Sequence, residues 1–158
     1  MMEFLRQMEI FSPEKHKNRR IDIIGAGATG SYVSWLLSKI GFENIRIWDD
    51  DVVEAHNLPG QLFFKANQGR LKVEAIADTL KQGAGVSVVT HSKKFYGEES
   101  LGEIVFLLTD TMKSRKQIWE GSLKYKLSTK LVIETRMGGD SGRVYSINPS
   151  KRSHLEGW

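Results

Sequence analysis

The chain has 158 residues, 40% of them hydrophobic, 27% charged and 9% aromatic, a composition that excludes a disordered or fibrous chain and leaves room for one core with little space for a second. Its 23 Lys and Arg against 19 Asp and Glu give a net charge of +4, too diffuse to specify nucleic acid and equally suited to a small anionic ligand. The sequence has no cysteine, which excludes disulfides, thiolate metal sites and thiol nucleophiles.

The first twenty residues are charged throughout and contain no signal-peptide core, and no apolar run approaches the roughly 20 residues of a membrane span. The expectation is one cytoplasmic domain over 1–158, with an amino-terminal arm at 1–20 and a polar tail at 150–158. Ile21-Asp22-Ile23-Ile24 reads as a short strand running into Gly25-Ala26-Gly27-Ala28-Thr29-Gly30-Ser31. Val33, Leu36, Leu37 and Ile40 then recur at helical spacing, and Gly41 stands where a left-handed cap is expected. Ile45 to Trp48 is a second strand, ending at three consecutive acids, Asp49, Asp50 and Asp51. A turn cluster at Asn57-Leu58-Pro59-Gly60 precedes a helix from about Gln68 to Gln82, with Val73, Ile76, Ala77 and Leu80 on one face and Lys72 off its centre. Val86 to Thr90 alternates as a strand, and Ile104 to Leu108 is a continuous apolar strand of the kind covered on both faces. A helix from near Thr111 carries Met112, Ile118, Trp119 and Leu123. Two further strands are read at Leu131 to Glu134 and Arg143 to Ile147. Strands alternating with helices predict an α/β fold: a Rossmann-like doubly wound, mainly parallel sheet with helices on both faces and ligands bound beyond the carboxyl ends of the strands.

The glycine loop has a mechanical meaning. Gly25 permits the tight turn, Gly27 lets backbone approach a phosphate at the helix's positive end, and Gly30 lets helix press on strand. Asp49 ends the next strand 19 residues after Gly30, where a carboxylate accepts hydrogen bonds from ribose hydroxyls. NAD, FAD and ATP all satisfy this much. The run Asp49 to Asp51 is not read as a metal cluster, because neighbouring acids on extended chain point to opposite faces. His16, His56, His91 and His154 lack ligand spacing, and Lys93-Lys94 reads as an ordinary charge pair.

Five stretches in order carry a resemblance: Arg6-Gln7, the GAGATGS loop, the run from Trp48 through Asp49, Asp51, Asn57 and Leu58 to Gln61, Gly69-Arg70-Leu71-Lys72, and Thr109-Asp110 followed by Arg115. Together they are similar to the nucleotide-binding half of the ThiF/MoeB/HesA family, relatives of the ubiquitin-activating enzymes. That resemblance implies ATP-dependent adenylation of a carboxylate, the C-terminal glycine of a small ubiquitin-fold or sulfur-carrier protein. It implies ATP and Mg²⁺, with Gly25, Gly27, Ala28, Thr29, Gly30, Asp49, Asp51, Asn57 and Gln61 on the nucleotide. Lys72 would contact the phosphates and Asp110 would hold or orient the Mg²⁺. Arg6 would reach the phosphates of the opposite subunit of a homodimer. No nucleic acid, membrane or zinc is expected among the partners and cofactors.

The chain departs from this pattern in three ways. Gly60 occupies the position of the family's arginine in N-L-x-R-Q, with Lys65 a candidate substitute; there is no cysteine for a thioester or a zinc site; and the chain ends soon after Arg136-Met137-Gly138-Gly139, short for the family. Gly60 and the short carboxyl end favour a second reading, a non-catalytic scaffold or partner subunit. An NAD-dependent oxidoreductase is the third, and it leaves Arg6, Asn57, Lys72 and Asp110 unexplained.

Overall fold

The structure is a computed structural model and describes residues 4–155. Ile21–Ile24 (β1), Ile45–Trp48 (β2), Val89–His91 (β3), Ile104–Leu107 (β4) and Leu131–Gly138 (β5) run parallel, and Ser141–Ile147 (β6) closes one edge antiparallel to β5. Their spatial order is β3-β2-β1-β4-β5-β6. The strand order therefore reverses between β1 and β4, opening a crevice at their carboxyl ends. Among the described residues no helix is long and apolar enough to cross a membrane.

The central strands are apolar because both faces are covered. Ile21, Ile23, Ile45 and Ile47 pack under Ala28–Ile40 (α1) and Lys72–Ala84 (α2), against Val73, Ile76 and Leu80. Ile24, Trp48, Val105 and Leu107 face the other way, toward Met112–Ile118 (α3) and the π turn Trp119–Leu123 that continues it. Asp22 is fully buried on that second face. It accepts from Arg46 Nε at 2.6 Å and Nη2 at 2.8 Å, and from the Gly102 amide, so the buried charge is paired and ties β1 and β2 to the loop before β4. Removing one partner of such a pair typically costs about 3–5 kcal/mol.

Several boundaries differ from the sequence reading. The second helix begins at Lys72, not Gln68, because Gly69 adopts φ +81° and Leu71 bridges to Val52 before the helix starts. Gly83 and Ala84 stay helical, and Gly85 makes the left-handed cap. Val86 and Val88 keep the inward side of the alternation, yet pairing with β2 starts only at Val89 opposite Arg46. The first helix is read correctly as an element, and Val33 and Leu37 pack against the core as their spacing implies, but Leu36 and Ile40 do not. Gly30, Ser31, Ser34 and Ser38 are its buried residues, whereas Tyr32, Leu36 and Ile40 are exposed. Close packing on the sheet selects small side chains there, and Ser34 returns its hydroxyl to the Gly30 carbonyl at 2.7 Å. The tail forms one helical turn, Arg152–Leu155 (α4).

Candidate functional site

The chain leaves β1 at Gly25, whose φ of +102° and position beneath the Leu108 carbonyl admit no side chain: a Cβ there would lie 2.7 Å from that oxygen. The first turn of α1 folds back onto this loop so closely that a Cβ on Gly30 would fall 1.9 Å from the Gly25 carbonyl oxygen. A Cβ on Gly27, by contrast, would meet nothing within 4 Å. The result is a turn pinned from below and open above, at the positive end of a 13-residue helix.

Asp49, at the end of β2, locks this turn to the neighbouring strand. Its Oδ2 accepts from the Ala26 amide at 2.7 Å and its Oδ1 from the Asp51 amide at 2.9 Å. Burial nevertheless pushes its carboxyl above the usual carboxylate range, against the opposing pull of those two amides and of Lys72. Lys72 is the first residue of α2. Its amide donates to the Asp51 carbonyl at 2.9 Å, its stem is buried, and its Nζ meets Asp51 Oδ2 at 2.8 Å.

A cavity of about 550 Å³ opens at the carboxyl ends of the strands and brings together Gly25, Gly27, Ala28, Thr29, Asp49, Asp51, Gln61, Lys72 and Asp110, a volume suited to a small-molecule ligand. Trp48 Nε1, Gln61 Oε1 and Thr109 Oγ1 are buried in residues of its wall without a hydrogen-bond partner in the protein. Such atoms cost about 1–3 kcal/mol each if left unpaired, and being closed to solvent they are not themselves presented to the cavity. Asp110 is exposed on the rim. Thr111, not Asp110, caps α3 by accepting from the Ser114 amide at 3.2 Å, which leaves the Asp110 carboxylate with no hydrogen bond or ion pair among the described residues.

Four expected residues sit elsewhere or do other work. Gly30 lies beneath the loop. Asn57 is buried away from the cavity wall, where its Oδ1 caps a short 3-10 turn by accepting from the Glu54 amide at 2.9 Å. Arg6 is exposed in the amino-terminal arm, which Gln7 fastens to the Ile40 carbonyl at 2.9 Å. Since α1 is about 20 Å long, Arg6 lies at the opposite end of that helix from the glycine turn. Arg115 lines the cavity but is committed internally, donating to the Thr109 and Thr135 carbonyls and pairing with Glu134 at 2.7 Å.

Two readings need correction. The carboxylates of Asp49, Asp50 and Asp51 do converge, one oxygen of each lying within 4.8 Å of the others, because the chain has left the strand after Trp48 and the alternation of faces ends there. Two of the three are already engaged, Asp49 by backbone amides and Asp51 by Lys72. Lys93 and Lys94 are also more than a surface pair: both line the cavity, beside Phe95 and Tyr96. Phe95 packs edge-on to Trp48 at 5.4 Å and anchors that loop, while His91 stacks on the same indole at 4.4 Å. An aromatic following paired lysines was the available signal. Lys65, exposed on its own 3-10 turn, is not on the wall.

A strand, a glycine turn against a helix terminus and an acid ending the next strand, all at the point where strand order reverses, define a Rossmann-type α/β protein. Within that class the chain belongs to the ThiF family, which it matches over residues 5–156. It is 29% identical over 147 residues to the ubiquitin-like modifier-activating enzyme ATG7 of Saccharomyces cerevisiae, covering 79% of this chain and 23% of that one. It is 37% identical over 68 residues to the ubiquitin-like modifier-activating enzyme 5 of Caenorhabditis elegans, covering 42% and 16%. The fold superposes on Escherichia coli MccB, crystallised with AMPCPP and MccA, with a TM-score of 0.75 at 23% identity over 88% of this chain and 43% of that one. The chain thus spans about a quarter or less of the length of the two activating enzymes and under half that of MccB.

Proposed function

We propose that the chain is the nucleotide-binding part of an adenylyltransferase that uses ATP to activate a carboxylate, the C-terminal glycine of a small ubiquitin-fold or sulfur-carrier protein. The observation that carries this reading is one cavity holding the open glycine turn, Asp49, Lys72 and an uncommitted Asp110. In the reaction an oxygen of the carboxylate attacks the α-phosphorus, the bond from that phosphorus to the bridging oxygen breaks, and pyrophosphate leaves with the electron pair. Carboxylate and triphosphate repel one another, so catalysis rests on positioning and charge. The glycine turn and the α1 terminus would receive phosphate, Asp49 would accept from the ribose hydroxyls, and Lys72 would stabilise the charge that develops on the phosphates. Asp110 would hold Mg²⁺, whose oxygen-only coordination its carboxylate suits and which would neutralise the leaving pyrophosphate. With no cysteine, this chain's own chemistry ends at the acyl adenylate.

ATP–pyrophosphate exchange in the presence of Mg²⁺ and carrier proteins ending in Gly-Gly tests the proposal. Tight ATP binding with no exchange on any carrier would leave the scaffold reading, which Gly60 favours. Binding of NADH in place of ATP would leave the oxidoreductase.

The raised Asp49 carboxyl gives a pH dependence with a definite sign. Its folded-state pKa exceeds the unfolded value, so the ionised form costs stability above that pKa and the cost is relieved as pH falls through it. Ligand binding runs the other way, because ribose donors need the carboxylate. Affinity for ATP should therefore fall on acidification at a pH above the ordinary carboxylate range, and calorimetry should find that inflection missing in Asp49→Asn.

The homodimer belongs to the same proposal. The exposed stripe Tyr32, Leu36 and Ile40 runs along α1 and is continued by exposed Leu5, Met8 and Ile10 of the arm. Two copies packed antiparallel through that stripe would carry each Arg6 to the glycine turn of its partner. Arg6→Ala and Lys72→Met chains, each inactive alone, should then regain exchange on mixing, since a mixed dimer contains one intact composite site. Mixtures that stay inactive, although sedimentation shows dimers exchanging subunits, would rule the arrangement out.

A further inference from the structure

We infer that Lys94, with Lys93 beside it, supplies the movable positive charge that draws and holds the nucleotide's polyphosphate; this rests on the ATP reading above and names residues outside it. Four cations and four acids line the cavity. The acids are Asp49, Asp50, Asp51 and Asp110. Two of the cations are each already balanced by an acid: Lys72 by Asp51 at 2.8 Å, though it still faces the phosphate side, and Arg115 by Glu134, held also by the Thr109 and Thr135 carbonyls. Without Lys93 and Lys94 the wall carries more acid than base and repels an anion. Gly60, next to the wall residue Gln61, adds no charge, and Lys65 is off the wall.

The two lysines differ from the committed pair in how they are held. Their side chains are 59% and 60% exposed. Lys94 Nζ is 3.9 Å from Asp50, the outer limit of an ion pair, whereas Lys93 makes a close hydrogen bond to Glu99 and holds that carboxyl below its usual range. An exposed pair at that distance contributes little, while a charge-assisted hydrogen bond to a phosphate is among the stronger ones available. Exchanging Asp50 for a phosphate is therefore downhill for Lys94, and its flexible stem permits the swing. Buried Phe95, packed on Trp48, fixes the backbone next to it, so the ammonium moves while its root does not.

The test is equilibrium binding of adenosine, AMP, ADP and ATP to the full chain, its Lys94→Gln variant and the Lys93→Gln, Lys94→Gln double variant, at two salt concentrations. Both positions are exposed, and the melting temperature of each variant checks its fold. The expected result is a loss that grows with phosphate number: none for adenosine, and about ten- to a hundredfold for ATP in the double variant, with a shallower salt dependence. Equal weakening for adenosine and ATP would mean that the loop only covers the nucleoside, and unchanged affinity for all four would mean that the lysines are idle; either overturns the inference and spares the ATP reading. A parental chain that binds none of the four overturns both.

Discussion

Lys72→Met is expected to lower pyrophosphate exchange by about a hundred- to a thousandfold, the size of loss seen when one preorganised electrostatic donor is removed from a reacting centre. Methionine is the informative replacement because it keeps the unbranched stem that lies buried at the start of α2 and deletes only the charge. The fold should survive it. The partner left behind, Asp51, has a side chain 62% exposed, so water replaces the ammonium and the stability change should stay within about 1 kcal/mol. The α2 start does not depend on the side chain either, since the Lys72 amide, donating to Asp51, is backbone. Exchange kinetics and a thermal melt on the same sample separate the two effects. If Lys72 acts mainly as charge in the transition state, the maximal rate falls more than the affinity for ATP. Exchange at the parental rate in a variant that melts normally would remove Lys72, and the mechanism with it.

What could be read from the sequence follows how local the cause is. The strand, glycine turn, helix and second strand from Ile21 to Trp48 are each set by neighbours within a few residues, and the structure reproduces their order and the Gly41 cap. The doubly wound, mainly parallel sheet followed from the alternation of strands with helices, while the spatial order of the strands came only with the structure. The errors fall where a distant segment decides. Which face of α1 is buried depends on how closely the helix approaches the sheet, and that approach chose Ser31, Ser34 and Ser38 over Leu36 and Ile40. Asn57 sits in a family-like motif, yet its carboxamide oxygen serves the Glu54 amide three residues away. Lys93 and Lys94 join the cavity because β3 delivers their loop beside Asp50, a juxtaposition no spacing in the chain displays. The convergence of Asp49, Asp50 and Asp51 likewise depended on where β2 stops pairing.

Gly30→Ala and Gly27→Ala should fail in opposite ways, although both alter one glycine loop by one methyl group. At Gly30 the new Cβ would stand 1.9 Å from the Gly25 carbonyl oxygen, and neither side can yield. Gly25 is held at φ +102°, its amide bonded to the Trp48 carbonyl at 2.9 Å and its own α-carbon closed in by Leu108. The contact is backbone on one side and the first turn of α1 on the other, so relief requires the helix to lift from the sheet and break the packing of Ser31 and Ser34 beneath it. That exceeds ordinary overpacking and should cost about 3 kcal/mol or more, a large part of the roughly 5–15 kcal/mol by which a domain is stable. Nucleotide binding should disappear with the displaced turn. At Gly27 the added methyl meets no protein atom within 4 Å and φ is −77°, so the denaturation midpoint should barely move. The methyl instead stands where phosphate would approach the backbone, and ATP affinity should drop by about tenfold or more, the cost of a forced methylene. Urea unfolding and ATP titration on both variants give four numbers whose pattern is the test: stability lost only at position 30, affinity lost at both. Equal destabilisation by the two would show that the open side of the turn is structural, and that the cradle reading of Gly27 is wrong.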